Sequence, residues 1–115
     1  MPAPTEIRLR RSERVLEVVF DDGSRFTYPA EYLRVESPSA EVQGHSPSER
    51  RLVSGKRNVG ITAVERVGNY AVRLIFDDHH DTGIYSWDYL HQLGREHSGR
   101  FAAYLEALAA RKLSR

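Results

Sequence analysis

Apolar residues fall on alternate positions in several short stretches of this chain, and take helical spacing mainly near its end. Thr5 to Arg10 sets Ile7 and Leu9 on one side and Glu6, Arg8 and Arg10 on the other, which predicts a half-buried strand. Arg14 to Phe20 carries Val15, Leu16, Val18, Val19 and Phe20, a second strand rich in β formers. Asp21-Asp22-Gly23-Ser24 follows, and Asp-Gly accepts the positive φ of a tight hairpin turn. Arg25 to Tyr28 returns as a strand with Phe26 and Tyr28 on one face. Pro29 suits the first turn of a helix, which Ala30, Glu31, Tyr32, Leu33 and Arg34 continue.

From about residue 36 to 60 the pattern lapses. Ser37-Pro38-Ser39, Gly44, Pro47 and Gly55 are turn and breaker signals, and a loop of this length inside a domain is often functional. Regularity returns with strands over Val59–Val67 and Tyr70–Phe76, separated by a Gly68-Asn69 turn. Asp77 to Asp81 makes the next turn, and Thr82 to Ser86 the return strand. Ser86 as N-cap, Asp88 in the first turn and Gly94 at the C′ position predict a helix over Trp87–Leu93. Ser98 is placed as the cap of a last helix over Gly99–Leu113, with Phe101, Tyr104, Leu105, Leu108 and Ala109 as its apolar stripe.

The two halves repeat one another. Val18-Val19-Phe20-Asp21-Asp22-Gly23 followed by Tyr28-Pro29-Ala30-Glu31-Tyr32-Leu33 matches Leu74-Ile75-Phe76-Asp77-Asp78-His79 followed by Tyr85-Ser86-Trp87-Asp88-Tyr89-Leu90. The spacing from Phe to Tyr-Leu differs by one residue, which the turn can absorb. Each unit alone leaves an apolar sheet face uncovered, so two units and the final helix predict one α+β domain. The expectation is a two-layer sandwich of antiparallel hairpins with short helices, one domain over 1–115, its core at about 5–95 and its last helix at about 98–113. In that frame Asp21, Asp22, Asp77 and Asp78 are turn formers that bond their own backbone.

A chain of 115 residues can close a core without metal or disulfide, and it has no cysteine. That removes thiolate zinc, iron–sulfur and cysteine-nucleophile chemistry. No apolar run approaches bilayer length and no leader pattern opens the chain, so a cytoplasmic protein off the membrane is expected. With 17 Lys and Arg against 16 Asp and Glu, no overall field favours nucleic acid. The basic clusters around Arg8, Arg10 and Arg11, and around Arg50, Arg51, Lys56 and Arg57, read as a solvated strand face and a charged loop.

No nucleophile elbow, zinc-protease, phosphate-loop or dinucleotide motif is present, so the chain is expected not to be an enzyme. The residues able to ligate a metal, if loop and hairpin tip converge, are His45, His79 and His80 with Asp78 or Asp81. The remaining histidines, His91 and His97, fall near helix ends. Tyr28, Tyr32, Tyr85, Trp87 and Tyr89 read first as core and sheet-edge packing. An exposed subset would instead make an interaction surface, placed at Trp87, Tyr89, Tyr32 and Arg34, because Trp, Tyr and Arg dominate binding energy when exposed.

Val67-Gly68-Asn69-Tyr70-Ala71-Val72, Phe76-Asp77-Asp78, Thr82 to Leu90, and Ser37 to His45 together resemble the small bacterial proteins of the DUF971 family, and through them the N-terminal domain of gamma-butyrobetaine hydroxylase. The likeness covers about residues 6 to 93. It implies the fold, and a related domain is found attached to P-loop ATPases of the iron–sulfur carrier type. It also implies a structural zinc, held by three cysteines after the first helix and a histidine after the second acidic turn. Here Ser37, Ser39 and Val42 stand at the cysteine positions, and the histidine is His79 or His80. The zinc therefore does not carry over, and no cofactor is expected. The oxygenase activity belongs to a separate catalytic domain. What carries over is the placing of loop 37–45 against the 79–80 tip, which brings His45 towards His80. The function expected is that of an accessory domain binding another protein or itself. The alternative is a metal- or small-ligand-binding protein using the loop and tip histidines.

Overall fold

The structure is a computed structural model that describes residues 2–39 and 52–115. Among these residues two antiparallel three-stranded sheets and three helices make an α+β fold. The first sheet is β1 (Pro4–Arg10), β2 (Val15–Phe20) and β3 (Arg25–Pro29), followed by α1 (Ala30–Val35). The second sheet is β4 (Ile61–Val67), β5 (Ala71–Phe76) and β6 (Gly83–Ser86), followed by α2 (Trp87–Arg95) and α3 (His97–Ala110). Along β2, buried Leu16, Val18 and Phe20 alternate with half-buried Val15, Glu17 and Val19, as the period of a strand requires. Val72, Leu74 and Phe76 repeat that row in β5, and both rows close on Leu33 of α1 and Leu90 and Leu93 of α2 in one core.

The duplication extends to backbone detail. Phe20 N–H donates to the Ser24 carbonyl (2.8 Å), as Phe76 N–H does to His80 (2.9 Å). Asp21 N–H reaches Ala3 (2.8 Å), as Asp77 N–H reaches Gly60 (2.9 Å). The register slips between Pro4 and Glu6 in β1 and between Ile61 and Ala63 in β4, so the same bulge occurs twice. Gly23 takes φ +87° at the first tip and His79 takes φ +72° at the equivalent place in the second. Asp22 and Asp78 form their turns as expected, Asp22 Oδ1 accepting from Ser24 N–H (2.8 Å) and Asp78 Oδ1 from His80 N–H (3.2 Å), whereas Asp21 Oδ1 accepts from the distant Ala3 N–H (3.2 Å).

Ser86 caps α2, its hydroxyl accepting from Tyr89 N–H at 3.1 Å. Two helix-end expectations are corrected. Gly94 lies inside α2, which runs on to Arg95, and it is not among the glycines with positive φ. Its reason is space, since a Cβ there would stand 2.4 Å from the Phe26 ring. Ser98 lies in the first turn of α3 and not at its cap; α3 starts at His97, with Glu96 at the N-cap as the single residue between it and the end of α2.

From the predicted stripe of α3, Tyr104 and Leu108 are buried against Val35, Leu52 and Val53, while Leu105 and Ala109 face outward. Tyr104 donates to the Val53 carbonyl (2.6 Å), and burial pushes its hydroxyl up to about 12. Beyond α3, Arg115 forks onto the buried carboxylate of Glu31 at 2.7 and 3.2 Å. No helix among the described residues is long and apolar enough to cross a membrane.

Candidate functional site

The two halves hold one another by exchanged contacts. Tyr28 of β3 donates its hydroxyl to the Leu90 carbonyl of α2 (2.6 Å), and Tyr85 of β6 donates to Leu33 of α1. Tyr32 of α1 donates to Leu93 (2.7 Å), and Tyr89 of α2 to Glu36 (2.5 Å). In the duplicated numbering Tyr28 matches Tyr85, Leu33 matches Leu90 and Tyr32 matches Tyr89, so each bond has a reciprocal partner. Burial raises the hydroxyls of Tyr28, Tyr32 and Tyr85 well above the usual phenol range, which keeps them as donors.

The hairpin tips are tied by the same exchange. Arg34 of α1 reaches Asp78 at the second tip (Nε to Oδ2, 2.9 Å), and His91 of α2 reaches Asp22 at the first (Nε2 to Oδ2, 2.9 Å). Lys56 adds a second cation to Asp78 at 2.6 Å. Burial alone would push the Asp78 carboxyl up; hydrogen bonds from Lys56, Arg34 and the His80 N–H outweigh it and hold it at about 2. Asp22 is likewise held at about 2, first by the Ser24 backbone and side chain and then by His91.

Beside the second tip lies the most enclosed polar cluster. Ser37 Oγ and His80 Nε2 are 2.9 Å apart, and Ser39 Oγ is 2.6 Å from Thr82 Oγ1. Ser37 Oγ also accepts from Ser39 N–H at 3.3 Å. Space for this comes from Gly83, where a Cβ would lie 2.7 Å from Ser37 Oγ. The matching place in the first half is filled by Phe26 against Gly94, so one half packs a ring where the other packs hydroxyls and an imidazole. A serine hydroxyl at 2.9 Å from an imidazole has the spacing of a nucleophile–base pair. Ser37 is wholly buried and His80 only 3% exposed, so the pair is closed off from solvent. The pair works as a tie between the end of α1 and the β5–β6 tip.

Of the sequence candidates for a metal, His80 points into this cluster and Asp78 into its ion pairs, while His79 and Asp81 are exposed. His45 lies outside the described residues. Among the described residues no group of three or more His, Cys, Asp or Glu could hold a metal ion. Nor are the four interaction candidates on one open face. Tyr32 is fully buried and stacked on His97 (4.4 Å), and Trp87 is 9% exposed with its indole N–H on the Asn69 carbonyl (2.7 Å). Tyr89 is half-buried, and Arg34 is committed to Asp78. Lys56, Thr82 and the Asp22–His91 pair were not singled out from sequence. Aligning the halves sets Arg34 on His91 and Asp78 on Asp22, the one signal that could have found that pair.

The family model described as gamma-butyrobetaine hydroxylase-like, N-terminal, matches residues 7–91. The chain belongs to this family. Two solution structures determined by NMR are similar to this member over its full length. One has 44% identity, a TM-score of 0.87 and 90% of its own chain covered; the other has 50%, 0.85 and 86%. A crystal structure from Acidithiobacillus ferrooxidans, of a DUF971-family protein of unknown function, is 42% identical over 79% of this chain and 91% of its own, with a TM-score of 0.67. No curated protein matches.

The zinc that the resemblance implies can be tested against this member's own donors. The histidine at the site is His80, since His79 occupies the glycine-like turn position and faces outward. Ser37 and Ser39 offer neutral alcohols where the metal needs thiolates, and Ser37 Oγ already meets His80 Nε2 directly. These residues do not fit zinc.

Proposed function

We propose that this family member is a non-catalytic accessory domain of the cytoplasm that acts by binding another protein or a second copy of itself, without a cofactor. The observation that carries this reading is where the polar groups go. Tyr28, Tyr32, Tyr85 and Tyr89 donate to backbone carbonyls, Ser37 and His80 meet each other, and Asp78 is ion-paired. Groups spent on holding two halves together are poorly placed for turnover. Apolar surface is available instead: Ile84 is 44% exposed on β6, an outer strand of its sheet, and Tyr70 is 59% exposed just before β5. An outer strand carrying an exposed apolar residue is a natural template for added strands. The family description, an N-terminal part of hydroxylase-like proteins, agrees with an attached rather than a self-sufficient role.

The test pairs affinity capture from native cytoplasm with light-scattering mass analysis, for the wild type and Ile84→Glu. A defined complex or dimer lost in the variant is expected. A solitary monomer in both measurements would overturn the reading.

A further inference from the structure

The seam between the two halves opens into a cleft of about 460 Å³ along β1 and β4. It exists because each sheet ends there: among the described residues β1 pairs with β2 alone and β4 with β5 alone, so the inward rows of both sheets are left partly open. Ile7, Leu9, Val64, Val72 and Trp87 line it. Ile7, Leu9 and Val64 are half-buried, whereas the inward residues of β2 are fully buried. Trp87 stands where the first half has Ala30, and the hydrogen bond from its Nε1 to Asn69 fixes the ring in place. The volume lies in the range of small-molecule pockets, and the wall mixes these apolar side chains with Thr5, Glu6, Arg11 and Arg66, so it offers both an apolar and a charged part.

The mouth of the cleft is charged, and the charge is uneven. Arg66 follows Val64 by two residues on β4, and so shares its face of the strand. The register pairs Arg66 with Val72 as it pairs Leu9 with Leu16, so an exposed guanidinium stands where the first half has a half-buried leucine. Arg66 Nε donates to the Gly68 carbonyl (3.2 Å), and Arg11, also lining the cleft, donates to Thr62 (3.1 Å). Those bonds orient both side chains and neutralise neither. Among the described residues no carboxylate pairs with Arg11 or Arg66, whereas Arg8, Arg10 and Arg73 each have one in Glu6, Glu17 and Glu65. Glu6, the acid in the cleft wall, is the one shared with Arg8 at 3.6 Å.

We propose that this cleft binds a small amphipathic carboxylate, its apolar body against Trp87 and Val64 and its anionic head at Arg66. Arg66 and Val64 of this site lie on β4, away from Ile84 on β6, so the variants that test it are distinct from the Ile84→Glu test of the protein-binding role above. A guanidinium suits a carboxylate head because its planar donors match both oxygens. The half-open inward rows suit an aliphatic body, which removes apolar wall from water as it enters.

Trp87 is the single tryptophan of the chain, so its fluorescence reports on the cleft alone. The full chain is titrated with octanoate below its micellar concentration. Octylammonium carries the same tail with opposite charge, and acetate carries the head alone. A saturable change with octanoate and none with the other two is expected. Arg66→Gln should weaken the response at least tenfold with unchanged circular dichroism, and Val64→Phe, which fills the cleft, should abolish it. Equal response to octanoate and octylammonium, no saturable response, or an Arg66→Gln titration matching the wild type would each overturn the proposal.

Discussion

Tyr28 reaches from the end of one hairpin to the carbonyl of Leu90 on the helix of the other, 2.6 Å away. Its counterpart Tyr85 makes the return bond to Leu33, so the halves are stitched by the same contact in both directions. Both tyrosines are fully buried, and removing either hydroxyl leaves a buried carbonyl without that donor. Tyr28→Phe and Tyr85→Phe should each lower stability by about 1–3 kcal/mol. Urea unfolding should show a fall in midpoint without a change of slope, since the ring still fills its place.

Asp78 is the electrostatic counterpart of those bonds. Its folded pKa of about 2 lies below the unfolded value, roughly 3.9. A depressed carboxylate stabilises the fold at pH above the unfolded value, and that contribution is lost as pH falls towards the folded value. Asp78→Asn should cost about 2–3 kcal/mol at pH 7, because it removes charge-assisted bonds to Arg34 and Lys56. The difference from wild type should narrow between about pH 5 and pH 2 in urea titrations run across that range.

Much of this architecture could be read from residue order. Alternation and runs of β formers located the six strands of the described residues, and the repeated Phe-Asp-Asp placed both turns and implied a duplicated core. The exchange between halves was not legible. A repeat states which residues are equivalent, and says nothing of whether Arg34 meets the acid of its own hairpin or that of the other; packing decides that. The helix ends failed for a related reason: Gly94 carries the mark of a C-cap, yet it answers to Phe26, a residue distant in sequence. The α3 stripe was only half right, because its packing cluster takes Tyr104 and Leu108 and leaves Leu105 outside.

The hydroxyls of Ser37 and Ser39 make the cluster beside the second tip a hydrogen-bonded tie. Ser37→Ala removes the contact with His80 and should cost about 1–3 kcal/mol, because the imidazole loses a partner in a buried site. Thermal melts of the wild type with excess chelator and with added zinc should superimpose. A chelator-induced fall in Tm would show that the site draws on a metal after all.

Gly94 offers a test in which local propensity and packing pull in opposite directions. Glycine to alanine inside a helix ordinarily stabilises by about 1 kcal/mol. Here the new methyl would meet the Phe26 ring at 2.4 Å, and overpacking of that kind costs about 1–3 kcal/mol. Gly94→Ala should therefore destabilise. Combined with Phe26→Leu it should do so less than the sum of the two single changes, a coupling that a double-mutant cycle measures directly.

His79 holds φ +72° at the tip where the first half uses glycine, and its side chain is exposed. A left-handed backbone costs a side-chain-bearing residue about 1 kcal/mol, more when the side chain is β-branched. Glycine removes that strain but gives the unfolded chain more freedom to lose, an opposing effect of about 0.4–1 kcal/mol. His79→Gly should thus leave the melting temperature unchanged or slightly higher, while His79→Val should lower stability by at least 1 kcal/mol. If His79→Gly fell as far as the valine variant, the imidazole itself would be holding the tip, and its contacts rather than the turn would explain why histidine stands there.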